Sequence, residues 1–409
     1  MTSLESNLPR SGTPRPVQLA IIFVVVSVCV LAIWQFSHAP SIGDERFNGP
    51  QAQRIQQGDW TPDPLIVMPI TYHAVVAGIA RVFGVEGMQA YRIISVLLCI
   101  PAVLVFHLLG AHLSEPCRSL RTLQFFFLPV LFPYWFLVYT DAFSLLLLLL
   151  AFLMAQKRVD WAAGLFAIAS TAVRQNNIIW LGLLLVLNHV RDHGWSLSAA
   201  NLRSTLWRGW TFCLGIGLFA VFVVVNGGLA IGDKTMHPSF KLYSGNVFSA
   251  IFLLGVIFLP LHVTNLPSVG RLIGKHWWIL PALVVTFFVF HLTFATDNPY
   301  HLAMQKLFIN RVTTSVDRSF VWRIMFFAAC AATLVSLAVT PLRSRGHLLL
   351  YPATILFLAP SWLIHARYYM IPFTLLLVFR KEDRTAVEIG NLIIMIGFAV
   401  AMLFFGLSP

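Results

Sequence analysis

Acidic, basic and amide side chains are concentrated in five short stretches of a chain that is otherwise strongly apolar. The stretches are Asp44–Glu45, "YTD" at Tyr139–Asp141, "RQNN" at Arg174–Asn177, "GDKTMH" at Gly232–His237 and "RYY" at Arg367–Tyr369. A carboxylate can accept a proton from a hydroxyl group, and a guanidinium binds phosphate with planar, bidentate geometry. Together these groups suit a transfer in which a base activates an acceptor hydroxyl while cations stabilise a departing phosphate.

Motifs of other chemistries are missing from the sequence. It contains no G-x-S-x-G, no G-x-x-x-x-G-K and no H-E-x-x-H. The 13 histidines show no metal-ligand spacing. The five cysteines occur singly in or beside apolar stretches, which is typical of small buried hydrophobic residues. We therefore predict neither a metal nor a cofactor.

Composition predicts an all-α polytopic membrane protein. The chain is 58% hydrophobic and 11% charged, whereas soluble domains are about 25% charged. A hydrocarbon core about 30 Å thick needs about 20 apolar residues per helix. We count about 13 apolar segments, which we expect to be helices and which include Thr122–Val138, Phe320–Val339 and Met370–Phe379. The net charge of +12 comes from Lys and Arg scattered between these segments. That distribution predicts an orientation in the lipid bilayer and no nucleic-acid partner.

The basic loops and the polar stretches alternate along the chain. With the N-terminus in the cytoplasm, the cytoplasmic side receives the basic loops, which contain Arg118, Arg121, Lys157, Arg158, Arg191, Arg203, Arg208, Arg271, Lys275, Arg343, Arg345 and Lys381. The five polar stretches then lie together on the opposite face. We expect residues 1–16 to be a disordered cytoplasmic tail and residues 17–409 to be a single transmembrane domain.

The elements that must position these groups include a long first external loop and several short helices. We expect helices at Pro50–Gln57 and, at the membrane interface, at Thr71–Phe83. The segment Trp161–Val173 is too short to span a bilayer, which places Arg174 below the headgroups. Intramembrane charges such as Arg174 and Asp141 either line a functional cavity or pair to hold helices together.

The motifs occur in the order of a known family. The first loop contains Asp44, Glu45, Phe47, Pro50-Gln51-Ala52-Gln53, Trp60 and Asp63-Pro64, and it is followed by "FLVYTD", "RQNNI", "GDK" with His237, and "RYYMIP". In this order they resemble the α-1,2-glucosyltransferases that use dolichyl-phosphate glucose to complete the lipid-linked oligosaccharide. That family belongs to the GT-C class of membrane glycosyltransferases. Asn48 stands where the family usually has His, and His365-Ala366 replaces Glu-Pro.

The resemblance implies roles for individual residues. It makes Asp44 the general base, with Glu45 as the reserve candidate, and we expect Arg174, Lys234 and Arg367 to bind the donor phosphate. The residues expected to contact the sugar or the acceptor are Gln51, Gln53, Trp60, Asp63, Asp141, Gln175, Asn177, Asp233, His237, Tyr368 and Tyr369. The aromatic side chains have a second explanation, because aromatic residues also anchor proteins at membrane interfaces.

The resemblance also implies the reaction and its partners. We expect transfer of a hexose, glucose in first place, from a polyprenyl-phosphate donor to a glycan or lipid-linked acceptor, by an inverting single displacement. The short chain and the absence of an N-x-S/T sequon favour a bacterial relative in the inner membrane, with the site facing the periplasm. A eukaryotic chain would lie in the endoplasmic reticulum membrane. The alternatives are a transporter or flippase, and a transferase of another sugar.

Overall fold

The protein is almost entirely helical. The computed structural model describes residues 15–36, 39–113, 116–232, 234, 242–303, 308–381 and 384–405. Within these ranges the chain forms twenty α-helices and four short 3-10 helices, and extended pairing is limited to an isolated bridge between Leu342 and Arg380. The prediction of an all-α polytopic membrane protein is confirmed. Of the predicted tail, residues 1–14 lie outside the described residues, and the first helix already begins at Arg15.

The helices follow one another with short connections. The first eleven are α1 (Arg15–Phe36), α2 (Glu45–Gln56), α3 (Thr71–Phe83), α4 (Met88–Cys99), α5 (Pro101–His112), α6 (Arg118–Phe126), α7 (Thr140–Gln156), α8 (Asp160–Val173), α9 (Ile178–His193), α10 (Ala199–Arg208) and α11 (Trp210–Asn226). The others are α12 (Gly245–Ile257), α13 (Leu259–Lys275), α14 (Ile279–Thr293), α15 (Pro299–Ala303), α16 (Phe308–Arg318), α17 (Phe320–Val339), α18 (Leu350–Leu358), α19 (Met370–Phe379) and α20 (Thr385–Phe405). The 3-10 helices are Phe132–Trp135, Gln175–Asn177, Arg345–Leu349 and Ala366–Tyr369.

The predicted count of about 13 spans is not confirmed. In the described part of the chain, four helical stretches are long and apolar enough to cross a bilayer: Pro16–Phe36, Met88–His112, Phe320–Val339 and Thr385–Phe404. Two bent pairs, α10 with α11 at 80° and α12 with α13 at 96°, raise the number to six if each pair is one span. Helices α7, α8 and α14 are apolar but have at most 17 residues, fewer than the about 20 that a span needs.

The predicted helix Thr122–Val138 is wrong, and the difference matters for the site. Helix α6 ends at Phe126, and the chain then runs through an irregular, completely buried segment to Tyr139. Pro129 and Pro133 explain the break, because proline lacks the amide hydrogen that a helix interior needs. The indole of Trp135 donates to the Phe126 carbonyl at 3.0 Å. This rigid core segment delivers Tyr139 to the start of α7.

Within the loop after α1, one helix differs from the prediction and one agrees with it. Helix α2 begins at Glu45 and not at Pro50, because the amides of Phe47 and Asn48 already donate to the Asp44 carbonyl at 3.0 and 2.9 Å. The negative charge of Glu45 in the first turn also stabilises this helix start, because a helix N-terminus carries partial positive charge. Helix α3 has the predicted bounds, Thr71–Phe83.

Four helices begin within four residues of a member of the Asp44–Arg367 or Asp141–Arg174 ion pair. Helices α2 and α7 begin beside Asp44 and Asp141, while α9 and α19 begin after the 3-10 turns that follow Arg174 and contain Arg367. Direct contacts between Asp44 and Arg367 and between Asp141 and Arg174 bring these ends together. The fold therefore gathers the positive ends of four helix dipoles, which favour a negatively charged ligand.

Candidate active site

An ion pair joins the first long loop to the last polar stretch of the sequence. The Asp44 carboxylate contacts a terminal nitrogen of Arg367, 323 positions away along the chain. The Arg367 side chain is 8% exposed and the Asp44 side chain 35%. The pair is thus formed from a nearly buried cation and a carboxylate that still faces open space.

Neighbouring groups orient both members of this pair. The Asp44 amide donates to the Tyr139 hydroxyl at 2.7 Å. The Arg367 guanidinium lies 5.8 Å from the ring centre of Tyr139 and 5.3 Å from that of Tyr368, both within cation–π range. The Arg367 amide donates to Nδ1 of His365 at 3.2 Å. These contacts leave the pair little freedom to rotate.

The charges of the site follow from this arrangement. Enclosure by protein alone would raise the pKa of Asp44, but the charge and hydrogen bond of Arg367 outweigh it and hold that pKa below its ordinary value. Burial, reinforced by the Arg367 charge, lowers the pKa of His365 to about 3. At neutral pH the site therefore contains an ionised carboxylate and a neutral imidazole.

Glu45, the reserve base, is placed very differently from Asp44. Its side chain is fully buried and forms a two-pronged ion pair with Arg92 at 2.6 and 2.9 Å. Its oxygens also accept the amides of Ile42 at 3.0 Å and Val138 at 2.9 Å. This carboxylate ties the loop to α4 and to the start of the "YTD" stretch, and it lines neither of the cavities described below.

Arg174 and Asp141 form the pair that the sequence left open as an alternative. Their side chains approach to 2.8 Å and are 10% and 7% exposed. Arg174 also donates to the Thr140 hydroxyl at 3.0 Å. Pairing does not exclude the other interpretation, because Arg174 also lies in a cavity wall.

Two adjacent cavities meet at Arg367. The first, the Arg174 cavity, has a volume of about 290 Å³ and is lined by Val67, Met68, Arg174, Gln175, Asn176, Ile178, Ile179, Phe219, Leu229, Ala230, Leu356, Phe357, Pro360, Ser361, Arg367 and Tyr368. The second, the Asp44 cavity, has about 270 Å³ and is lined by Gly43, Asp44, Arg46, Phe47, Asn48, Leu65, Ile66, Val67, Met68, Asn298, Tyr300, Leu363 and Arg367. Val67, Met68 and Arg367 contribute to both. The guanidinium is therefore accessible from a mostly apolar space on one side and from the carboxylate side on the other.

Of the predicted sugar ligands, two lie in the Arg174 cavity. Tyr368 is in its wall, and so is Gln175, whose amide donates to the carbonyls of Val67 at 2.7 Å and Leu229 at 3.0 Å. Asn177 is buried and donates to the Ser170 hydroxyl at 2.8 Å. The Tyr369 hydroxyl donates to Asn246 at 3.0 Å. Asn177 and Tyr369 thus connect neighbouring segments of the protein and line neither cavity.

The other predicted residues of the first loop do not reach the cavities. Gln51 is buried and accepts hydrogen bonds from the Asp63 amide at 2.7 Å and from Arg54 at 2.9 Å. Asp63 forms a 3.4 Å ion pair with Arg54. Gln53 is exposed, and Trp60 is 58% exposed. Gln51 and Asp63 thus form hydrogen bonds within the loop, whereas Gln53 and Trp60 are exposed.

The "GDKTMH" stretch is described only in part. Asp233 and His237 lie outside the described residues. The Lys234 ammonium donates to the Asn226 carbonyl at 2.5 Å, and among the described residues Lys234 is absent from both cavity linings. A phosphate-binding role for Lys234 stays a prediction.

Sequence reasoning missed several residues of the site. Arg46, Asn298 and Tyr300 line the Asp44 cavity, and Tyr139 and His365 contact the central pair. The signal for Tyr139 was present in "YTD", whereas Asn298 and Tyr300 lie in none of the five polar stretches. In the described part of the chain no group of three or more His, Cys, Asp or Glu residues could hold a metal ion.

Comparisons with known proteins agree on one family. The model described as the DIE2/ALG10 family matches residues 39–195 and 193–378. A protein of Debaryomyces hansenii is 24% identical over 80% of this chain and 77% of its own length. A human protein is 23% identical over 81% and 82%, and one of Arabidopsis thaliana is 23% identical over 88% and 91%. All three are named Dol-P-Glc:Glc(2)Man(9)GlcNAc(2)-PP-Dol alpha-1,2-glucosyltransferase. No solved structure matches the chain.

Proposed function

Because the chain belongs to the DIE2/ALG10 family, we propose that it is a membrane glycosyltransferase of GT-C type. It moves a hexose, glucose in first place, from a polyprenyl-phosphate donor to a glycan or lipid-linked acceptor. The named function of the relatives supports the reaction class. The observation that carries the assignment of the site is the Asp44–Arg367 pair between two cavities.

The donor occupies the Arg174 cavity in this proposal. Apolar side chains such as Ile179, Phe219 and Leu356 form much of its wall, and they suit the first isoprene units of a prenyl chain. Arg174 and Arg367 lie in the same wall and bind the phosphate, with the four helix N-termini adding partial positive charge. Leu356 is 62% exposed, so the chain can continue into the surrounding lipid.

The acceptor enters the Asp44 cavity and reacts in one displacement. Its hydroxyl oxygen attacks the anomeric carbon of the donor sugar, and the bond between that carbon and the phosphate oxygen breaks. The electron pair leaves with the phosphate, whose charge Arg367 and Arg174 stabilise. The Asp44 carboxylate accepts the hydroxyl proton. The products are the elongated glycan and free prenyl phosphate.

We also propose on which side of the membrane the site lies and how long the prenyl chain of the donor is. The protein is a multi-pass membrane protein, and we place the site on the face opposite the basic loops. In a bacterial cell this face is the periplasmic side of the inner membrane, and the donor is an undecaprenyl-phosphate hexose. In a eukaryotic cell it is the lumen of the endoplasmic reticulum.

Incubation of the purified protein with labelled prenyl-phosphate glucose tests the proposal. The expected result is release of free prenyl phosphate that depends on added acceptor glycolipid. A matched reaction with prenyl-phosphate mannose should be slower by about 10-fold or more, because unpaired polar groups in a sugar site are costly. Saturable donor binding without any release, at every acceptor tried, would favour a carrier and contradict the proposal.

A further inference from the structure

We propose that Tyr139 is a positioning residue that holds Asp44 and Arg367 in the geometry needed for transfer, an inference that rests on the proposed function. Tyr139 contacts both members of the pair, through its hydroxyl and through its ring. None of the residue roles implied by the sequence involves it. Three observations carry the argument.

The first observation is the contact between the hydroxyl of Tyr139 and the backbone of the turn before α2. The hydroxyl accepts the Asp44 amide at 2.7 Å and donates to the Ile42 carbonyl at 3.4 Å. Burial raises the pKa of Tyr139 well above its usual value, so the hydroxyl keeps the proton it donates. The turn is thereby fixed on both sides of Gly43.

The second observation is steric and concerns the missing Cβ of Gly43. Its φ of +55° lies in the left-handed region that favours glycine, and a Cβ at this position would overlap the Tyr139 hydroxyl. The ring carbon behind that oxygen would be 3.6 Å from the Cβ, an ordinary contact. The glycine therefore lets the turn approach the hydroxyl closely enough for the Asp44 amide to bond.

The third observation is the contact between the Tyr139 ring and the Arg367 guanidinium, 5.8 Å from the ring centre. The ring itself is held in place because the backbone of Val138, one residue earlier, is bound from both directions. Its amide donates to Glu45 at 2.9 Å and its carbonyl accepts from Asn48 at 2.8 Å. Tyr139 is thus a fixed platform against which both charged groups are aligned.

Tyr139→Phe tests this role because it removes the hydroxyl and keeps the ring. We expect kcat to fall by about 10- to 100-fold, since misplacement by about 1 Å can cost about 100-fold. The KM for the donor should stay within about twofold, because Arg174 and Arg367, which bind the donor phosphate in the proposal, are retained. The acid limb of the kcat profile should move to higher pH, since a loosened contact with Arg367 lets the pKa of Asp44 rise.

The chain offers a matched control in Tyr134. Its ring packs edge-on against that of Tyr139 with 4.9 Å between ring centres, and its buried hydroxyl has no hydrogen-bond partner among the described residues. Tyr134→Phe deletes the same group from the same aromatic cluster. It should leave kcat, donor KM and the pH profile at wild-type values.

A double-mutant cycle with Gly43→Ala provides a second test that does not depend on the stability of one variant. Gly43→Ala alone should lower kcat, because the new methyl group displaces the turn from the hydroxyl. In the Tyr139→Phe background the same change should cost several-fold less, since the overlapping oxygen is gone. Contacting residues show such coupling, whereas independent sites add.

The outcomes separate this inference from the proposed function. Wild-type kcat in Tyr139→Phe, or equal losses in Tyr139→Phe and Tyr134→Phe, would overturn the positioning role while transfer by the wild-type protein stands. Strict additivity in the cycle would overturn it as well. Failure of the wild-type protein to transfer any sugar would contradict the proposed function itself.

Discussion

Asp44 and Glu45 are neighbours in sequence, carry the same charge and each pair with an arginine, yet the structure gives them opposite surroundings. The Glu45 side chain is 0% exposed and its partner Arg92 5%, whereas Asp44 is 35% exposed beside an Arg367 of 8%. Glu45 has no access to either cavity, and Asp44 lies in the wall of one. One peptide unit thus separates a carboxylate that holds the loop from one that is open to a substrate.

Variants of the two carboxylates should therefore differ, because loss of Glu45 should reduce stability and loss of Asp44 should reduce turnover. Removing one partner of a buried ion pair leaves an uncompensated charge in a medium of low dielectric constant, which costs about 3–5 kcal/mol. Asp44, which is 35% exposed, can be neutralised at smaller cost, because water reaches the carboxylate and the rings of Tyr139 and Tyr368 still face the Arg367 guanidinium. Predictions about the two pairs can therefore be separated by measuring turnover and stability on the same samples.

Apart from Asp44→Asn, which is treated last, the largest effect is expected for Arg367→Gln. The variant should lose about 100- to 1000-fold in turnover, the magnitude seen when one group that stabilises developing negative charge is removed. Loss of the guanidinium also lets the pKa of Asp44 rise. As the pH is lowered, the residual activity should therefore be lost at a higher pH than in the wild type. Initial rates with labelled donor across the pH range measure both effects.

Arg367→Lys is the matched control, because it keeps the charge and loses the planar donor geometry. Its turnover should lie between that of Arg367→Gln and that of the wild type. Equal activity of all three proteins would remove Arg367 from the mechanism.

The next effect is expected for Glu45→Gln, and it should appear in stability. We expect a loss of about 3–5 kcal/mol in the free energy of unfolding, because Arg92 is left buried without its counter-ion. Turnover per folded molecule should change less than in Arg367→Gln. Thermal unfolding in detergent, combined with activity normalised to the folded fraction, measures both quantities, and a stable but inactive variant would reverse the assignment of the two carboxylates.

A smaller effect concerns pH and His365. The pKa of this histidine is about 3 in the folded protein and about 6.5 in an unfolded chain. Between these values the unfolded state binds more protons, so stability rises with pH across this window. His365→Gln should reduce that slope by up to about 1.4 kcal/mol per pH unit. An unchanged slope in chemical unfolding at pH 4.5 and 6 would show that His365 is not buried in the neutral form.

The smallest effect is expected for Gln53→Ala. Gln53 is exposed and lines neither cavity, so turnover and stability should both stay near wild-type values, as for most surface substitutions. Acceptor titration is the informative measurement. A rise of about 10-fold or more in acceptor KM would restore the sugar-binding role that the sequence predicted.

Several helices without an interior proline were predictable from sequence. Helices α3, α17 and α19 have the predicted bounds, and Pro372 of α19 lies in the first turn, where a helix tolerates proline. Thr122–Val138 has the same apolar character, but Pro129 and Pro133 break it, and burial in a large core removes the periodicity that would mark its irregular backbone. Apolar composition therefore indicated the membrane class without fixing the number of spans.

The sequence indicated which stretches contribute to the site, but it did not indicate how their side chains are arranged. Charge bias placed "YTD", "RQNN" and "RYY" on one face, and the contacts of Asp141 with Arg174 and of Asp44 with Arg367 bring these stretches together. Which of Asp44 and Glu45 is open depends on Arg92, 47 positions further along the chain. Gln51 and Asp63 likewise bind each other within the loop. Such long-range pairing leaves no periodic signal in a single sequence.

The most direct test of the account is the rate of prenyl-phosphate release by Asp44→Asn, with saturating labelled donor and acceptor, on protein whose donor affinity has been measured beforehand. Loss of the proton acceptor should lower this rate by about 100- to 10,000-fold, while thermal stability and donor Kd remain near those of the wild type. Release at the wild-type rate by Asp44→Asn would contradict the account.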